Sequence, residues 1–229
     1  MVLSLKNMLA INEEAQKRKH QAEMQALQSQ INPHFIVNTL NSIRFMAQMS
    51  GYDGTRRMAQ ALGNIVSCSF RSSTSFYTVD EELQMLDSYL YIMRIRYADG
   101  FEVRYDVAED CRSCRLPRLT LQPIVENAIL HGLEGISDSV IRVEAAQEGE
   151  DLLITVTDNG HGLPPDMIGH PYRRESAPSG HHLGLFNVDT ILKKHYGERY
   201  GLYLDNNPAG SGARVRARLP LRRREEEEC

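Results

Sequence analysis

Apolar positions near the start of the chain are sparse and spaced as on a helix. Met8, Ile11, Ala15, Ala22 and Ala26 form a thin stripe among Glu, Gln, Lys, Arg and Ala, with neither Gly nor any Pro except Pro33 from Asn7 to Met49. Good helix formers in that spacing predict one long helix over those residues, with a weakly encoded coiled-coil seam. The stripe strengthens later, where Phe35, Leu40, Ile43 and Met46/Ala47 fall on a face that needs a partner. Ser50-Gly51-Tyr52-Asp53-Gly54 reads as a turn, and Met58, Ala61, Leu62, Ile65 and Val66 predict a second helix folding back antiparallel. Such a hairpin buries little alone, and two copies would close a four-helix bundle.

Ser72-Ser73-Thr74-Ser75 reads as a hinge. Thr78-Val79-Asp80-Glu81 is a capping box opening a third helix through Leu83, Leu86, Tyr89, Leu90 and Met93, which ends near Tyr97-Ala98-Asp99-Gly100 and reads as a connector. At Phe101 the period shifts from helical to alternating. Phe101, Val103, Tyr105 and Val107 predict a strand, as do Val140 to Ala145, Leu152 to Thr157, Leu202 to Leu204 and Ala213 to Leu219. Leu119 to Leu133 and Leu185 to His195 read as helices. Leu163 to Leu183 holds Pro164, Pro165, Pro171, Pro178, Gly169 and Gly180 without a period and reads as a mobile lid. The fold class expected is α+β: a helical hairpin forming a dimeric four-helix bundle, followed by a two-layer α/β sandwich with helices on one face of a mixed sheet. The boundaries expected are 1–74 for the signalling helix and hairpin, 75–100 for the connector, 101–221 for the sandwich and 222–229 for a charged tail.

Composition narrows the partners. The chain has 229 residues, 41% hydrophobic, which allows a moderate core plus a helical segment. Its net charge of −4, from 26 basic and 30 acidic residues, leaves no basic footprint, so direct nucleic-acid binding is not expected. Met1-Val2-Leu3-Ser4-Leu5 is interrupted by Lys6 and Asn7, far short of the roughly 20 apolar residues of a spanning helix and unlike a signal peptide; a cytoplasmic location is expected. Of the cysteines Cys68, Cys111, Cys114 and Cys229, the Cys111-Arg112-Ser113-Cys114 pair has half of a zinc spacing without a second pair, and no metal is assigned there.

Three segments carry candidate chemistry. The first is Gln30-Ile31-Asn32-Pro33-His34-Phe35-Ile36-Val37-Asn38-Thr39-Leu40-Asn41, where Pro33 disturbs the helix and Asn32, Asn38 and Asn41 surround an imidazole that can be nucleophilic near neutral pH. A single helical histidine is more often a surface residue. The second, Gln122-Pro123-Ile124-Val125-Glu126-Asn127-Ala128-Ile129-Leu130-His131-Gly132, buries an amide in an apolar helix, where it meets a partner or points into a cleft. The third, Asp158-Asn159-Gly160-His161-Gly162-Leu163, follows a strand and is followed by Gly184-Leu185-Phe186-Asn187-Val188; taken alone, Asp-Asn-Gly is turn chemistry. Gly184 would open a helix whose free N–H groups suit phosphate.

In that order, these segments resemble the phosphoacceptor, N and G boxes of sensor histidine kinases, in the LytS-type branch, from about Leu27 to Leu219. Glu82-Leu83 through Tyr89-Leu90, with Arg94-Ile95-Arg96-Tyr97, resembles that family's E-L-x-x-x-x-x-Y-L block. The resemblance implies a GHKL-type ATP-binding domain, ATP and Mg²⁺, autophosphorylation on His34, and transfer to an aspartate in the receiver domain of a response regulator. It implies catalytic roles for His34, Asn38 and Glu126, with Asn38 orienting the ring and Glu126 positioning metal or proton. Asn127 would hold Mg²⁺, His131 would face phosphate, Asp158 would accept the adenine amino hydrogen, and Gly160 and Gly162 would let the backbone approach the base. Gly184, Leu185, Asn187 and Gly212 complete the nucleotide-binding set. A homodimer and tethering to a membrane sensor region outside this chain are also implied, making this the cytosolic portion of a cell-membrane receptor. His182 stands where the family has glycine, Ala213 where threonine is usual, and Ile36-Val37 where leucine and an aromatic are usual. Two other readings are an ATPase of the GHKL type that uses water and a non-catalytic dimeric signalling scaffold.

Overall fold

The computed structural model describes residues 33–70, 75–98, 100–132, 138–169 and 183–223. They divide into two compact units between Phe70 and Arg71. The expected helix from Asn7 and its alanine stripe lie, up to residue 32, outside the described residues.

The first unit is a hairpin of α1 (Pro33–Met49) and α2 (Asp53–Phe70). Gly51, at φ +73°, turns the chain, and the Tyr52 N–H donates to the Ala47 carbonyl at 2.9 Å. Small residues make the inner seam: Ala47, Ala59 and Ala61 are buried, with Leu40 half-buried beside them. The expected single face of α1 therefore splits. Leu40 and Ala47 turn inward, whereas Phe35 and Met46, 67% and 59% exposed, point outward. The larger side chains of the hairpin are at most half-buried among the described residues.

The second unit contains β1 (Phe76–Thr78), α3 (Val79–Arg96), β2 (Phe101–Val107), β3 (Arg115–Pro117) and α4 (Leu121–Asn127). It continues with β4 (Ser139–Glu148), β5 (Asp151–Asp158), α5 (Leu183–Tyr196), β6 (Gly201–Asn206) and β7 (Ala213–Pro220). Five strands form one sheet in the order β2-β4-β5-β7-β6, with β2 parallel to β4 and every other pairing antiparallel. Alternation sets its two faces. Val143, Val156, Val215 and Leu204 form one rung across four strands, Ala145, Ile154, Ala217 and Leu202 the next, and all eight are buried. The opposite face carries Arg142, Thr157, Arg214 and Asp205 in register. There Arg214 grips Asp205 through two bonds of 2.7 and 2.6 Å, with Arg216 joining at 3.1 Å.

The segment expected as a connector is built into this unit. Thr78 and Glu81 form the capping box reciprocally, with bonds of 3.1 and 2.8 Å. The loop carrying Cys111 and Cys114, both buried, wraps the start of α3: its Cys114 carbonyl accepts the Val79 N–H and its Arg112 carbonyl the Asp80 N–H. β1 and β3 pair antiparallel beside it, with Tyr77 opposite Leu116. Three-residue strands are too short to show a period, so the sequence did not reveal them. The expected tail also begins later than residue 222, because the Arg222 carbonyl accepts the Arg115 N–H and Arg223 bridges Cys114.

Candidate functional site

The expected helix from Leu119 starts two residues late. Glu82, on α3 and 2% exposed, accepts the backbone N–H groups of Leu119, Thr120 and Leu121 at 2.7, 2.9 and 2.9 Å. One carboxylate thereby satisfies donors that every helix start leaves open and holds Leu119 at φ +59°, outside the helix. Burial pushes the Glu82 carboxyl up, while these three N–H groups pull it down. Downstream, α4 ends at Asn127 and continues as a wider π-type turn, Ala128–Gly132. Such turns re-aim side chains and recur at functional sites. Leu121, Ile124, Val125, Ala128 and Ile129 are buried, so Glu126 and Asn127 sit half-buried at the margin of the core.

Asp158 ends β5, one residue from the sheet's last rung. Its Oδ1 accepts the N–H of Gly160 at 2.9 Å and of Ala213 at 3.0 Å; its Oδ2 accepts no hydrogen bond among the described residues. The side chain is buried, and burial pushes its carboxyl above the ordinary range, opposed by the Ala213 and Gly160 N–H groups and by His161. The carboxylate thus offers one fixed oxygen and one open acceptor. Around it the chain packs too tightly for side chains. Gly212, at φ +105°, lies where a Cβ would overlap the Asp158 carbonyl, and Gly162, at φ +81°, where a Cβ would meet Asn206 Oδ1 at 2.8 Å. Gly212 therefore makes room for Asp158.

Two asparagines missed in the sequence fasten these loops. Asn206 Oδ1 accepts the Leu163 N–H at 2.7 Å, and Asn207 donates to the Asp158 and Ser211 carbonyls. An Asn-Asn pair after a strand is the signal that was there to find. The expected lid is correspondingly shorter: Met167 is buried, and Gly169 and Leu204 exchange backbone bonds of 2.7 and 3.2 Å. His182 and residues 170–182 lie outside the described residues.

Gly184 stands in the first turn of α5, where an added Cβ would meet the Pro123 Cβ of α4 at 3.3 Å. The start of α5, with its open N–H groups, is therefore brought beside the helix bearing Glu126 and Asn127. The Leu185 side chain is buried and anchors α5 by packing, and Asn187 is exposed on the helix. His131 lies within the π-type turn that follows Asn127. His34 and Asn38 belong to the other unit, on the first two turns of α1, where Pro33 opens the described helix and Asn38 is exposed.

Comparison with known proteins agrees with this arrangement. Residues 22–101 match the family described as "Histidine kinase", and residues 115–223 match "Histidine kinase-, DNA gyrase B-, and HSP90-like ATPase". The sensor histidine kinase YesM of Bacillus subtilis is 30% identical over 97% of this chain and 37% of its own length. The sensor protein LytS of Streptococcus agalactiae is 30% identical over 96% of this chain and 38% of its own. Among solved structures, a mycobacterial sensor histidine kinase, MprB, is 22% identical with a TM-score of 0.46 over 62% of this chain and 95% of that one. The chain belongs to the histidine kinase family, with a helical histidine kinase region followed by a domain of the GHKL ATPase fold. It spans little more than a third of the length of these two curated relatives. No helix among the described residues is long and apolar enough to cross a membrane.

Proposed function

We propose that this chain is the kinase portion of a two-component sensor, which phosphorylates itself on His34 from ATP and passes the phosphoryl group to an aspartate of a response regulator. The observation that carries this reading is the Asp158 carboxylate: buried, oriented through Oδ1 and open at Oδ2, in a cradle only glycine permits at Gly212. An open acceptor in such a cradle suits the amino group of adenine. The N–H groups at the start of α5 suit the phosphates, and Gly184 and Asn187 lie there. Asn127 supplies one amide oxygen for Mg²⁺, an ion that otherwise keeps phosphate oxygens and water as ligands and neutralises their charge. Glu126 and His131 flank that position, and Gly160 and Gly162 line the approach to Asp158.

In the reaction a neutral imidazole nitrogen of His34 forms a bond to the γ-phosphorus as the bond from phosphorus to the ADP oxygen breaks, and the ring gives up its proton. Catalysis comes from positioning and charge neutralisation. Phe35 follows His34, so no neighbouring carboxylate takes the proton, and Asn38 orients the ring as a hydrogen-bonding amide. The outward apolar face of α1 supports a homodimer through a four-helix bundle, and the relatives' greater length supports a sensor region, tethered to the membrane, outside this chain. The test is incubation with γ-labelled ATP and Mg²⁺. Acid-labile, alkali-stable label is expected on the wild type and none on His34→Ala, with nucleotide binding retained; Asp158→Asn is expected to weaken nucleotide binding about tenfold or more through its lost charged acceptor. Label that survives in His34→Ala would overturn His34 as the acceptor, and phosphate release without label would overturn the reading in favour of an ATPase. Nucleotide binding without any turnover would favour a scaffold.

A further inference from the structure

Helices α3 and α4 lie side by side in a register fixed at one end by the three bonds from Glu82 to Leu119, Thr120 and Leu121. Tyr89 follows Glu82 by seven residues on α3, and Glu126 follows Thr120 by six across the start and body of α4. At about 1.5 Å of rise per residue, each stands roughly 10 Å along its own helix from this shared anchor. The electrostatics agree. Burial raises the Tyr89 phenol most, the Glu126 carboxylate raises it next, and Tyr97 and Arg96 at the end of α3 act after them in opposite directions.

The hydroxyl has no structural employment. Tyr89 is only 6% exposed and its Oη has no hydrogen-bond partner among the described residues, and the Glu126 carboxylate accepts no hydrogen bond among them either. A buried hydroxyl without a partner is destabilising, and phenylalanine would fill the same volume without that penalty. A donor and an acceptor on two helices anchored together, each without a protein partner among the described residues, can be joined by a rearrangement. Glu126 has the side-chain torsions to make it and immediately precedes Asn127.

We propose that Tyr89 is a positioning residue for phosphoryl transfer, whose hydroxyl donates to the Glu126 carboxylate when Mg²⁺ and nucleotide occupy the site and holds that carboxylate beside Asn127. This rests on the function proposed above. The ring of Tyr89 belongs to the α3–α4 core, and the hydroxyl belongs to the loaded site.

The experiment is a thermal-melting cycle on the full chain, with and without Mg²⁺ and the non-hydrolysable nucleotide AMPPNP, for the wild type, Tyr89→Phe, Glu126→Gln and the double variant. Tyr89→Phe is expected to melt at or above the wild-type temperature without nucleotide. With nucleotide it is expected to gain less, corresponding to about tenfold weaker binding, and the double variant is expected to lose no more than Glu126→Gln alone. The rate of His34 labelling should fall about tenfold in Tyr89→Phe, equivalent to about 1.4 kcal/mol. A lower melting temperature without nucleotide together with an unchanged nucleotide gain, or losses that add in the double variant, would overturn the proposal. If the wild type fails to label His34, the functional reading falls, while the melting cycle still decides whether Tyr89 acts through Glu126.

Discussion

The two units of this chain solve the problem of burying apolar surface in opposite ways. In the second, the strands of the large sheet send alternate side chains into one buried layer, and Leu116, Ile141, Leu152, Leu192 and Leu219 are fully buried. Among the described residues of the hairpin the buried apolar side chains are alanines, while Phe45, Met46 and Met49 stay on the outside, Met49 at 75% exposed. A unit that buries only alanines with its large side chains in water gains little from folding alone. The ATP-binding unit closes its own core; the hairpin leaves its larger side chains exposed.

The largest effect that would break this contrast lies in the second unit. Gly212→Ala forces a Cβ into the Asp158 carbonyl at a backbone angle of +105°; about 4 kcal/mol of stability is expected to be lost, and nucleotide affinity with it, read from denaturant unfolding and nucleotide titration. Next comes the hairpin. Replacing Phe45 and Met49 together by serine should leave the helical content of the monomer intact and weaken self-association about hundredfold, as judged by sedimentation equilibrium, because two large apolar side chains leave the interface. Unchanged association would place the dimer contact elsewhere.

The smallest effect depends on pH. Burial works to raise the Asp151 carboxyl, yet bonds from Arg218, Arg199 and Tyr200 outweigh it and hold the group below its ordinary 3.8. Its stabilising contribution is therefore complete above about pH 3.8 and fades as pH falls through the lower folded value. Asp151→Asn should cost about 2 kcal/mol at neutral pH, discounted for the half-exposed arginines, and the gap to wild type should close below about pH 3.8 in melting experiments. Glu82 and Asp158, whose carboxyls burial raises, run the other way: what they contribute is full at low pH and is lost as pH rises through their folded values. Equal loss for Asp151→Asn at every pH would show that the ion cluster plays no part in acid stability.

Where a side-chain period ran for six residues or more, local sequence sufficed. The strands β2, β4, β5 and β7 and the capping box of α3 follow from alternation and from Thr78 and Glu81 alone. Where partners lie far apart in the chain, it did not. The start of α4 was misread because a carboxylate 37 to 39 residues earlier takes its first N–H groups. The front of the expected lid was misread because Asn206 and Leu204 on β6 hold Leu163 and Gly169. The residues proposed for nucleotide were legible as motifs, but not their place in the packing: Asp158 offers an acceptor, Gly212 gives it room, and the Leu185 side chain anchors a helix.

What the sequence determined by itself is the set of elements with a repeating period and the order of three boxes that place the chain among histidine kinases. Both are local properties, written in neighbours within one or two turns. Only the tertiary structure decided that α3 belongs to the ATP-binding unit and that Glu82 caps α4. It alone buries the Tyr89 hydroxyl without a partner among the described residues and leaves one oxygen of Asp158 open. Those arrangements come from bonds between groups tens of residues apart, whose energies depend on burial that no short stretch of sequence contains.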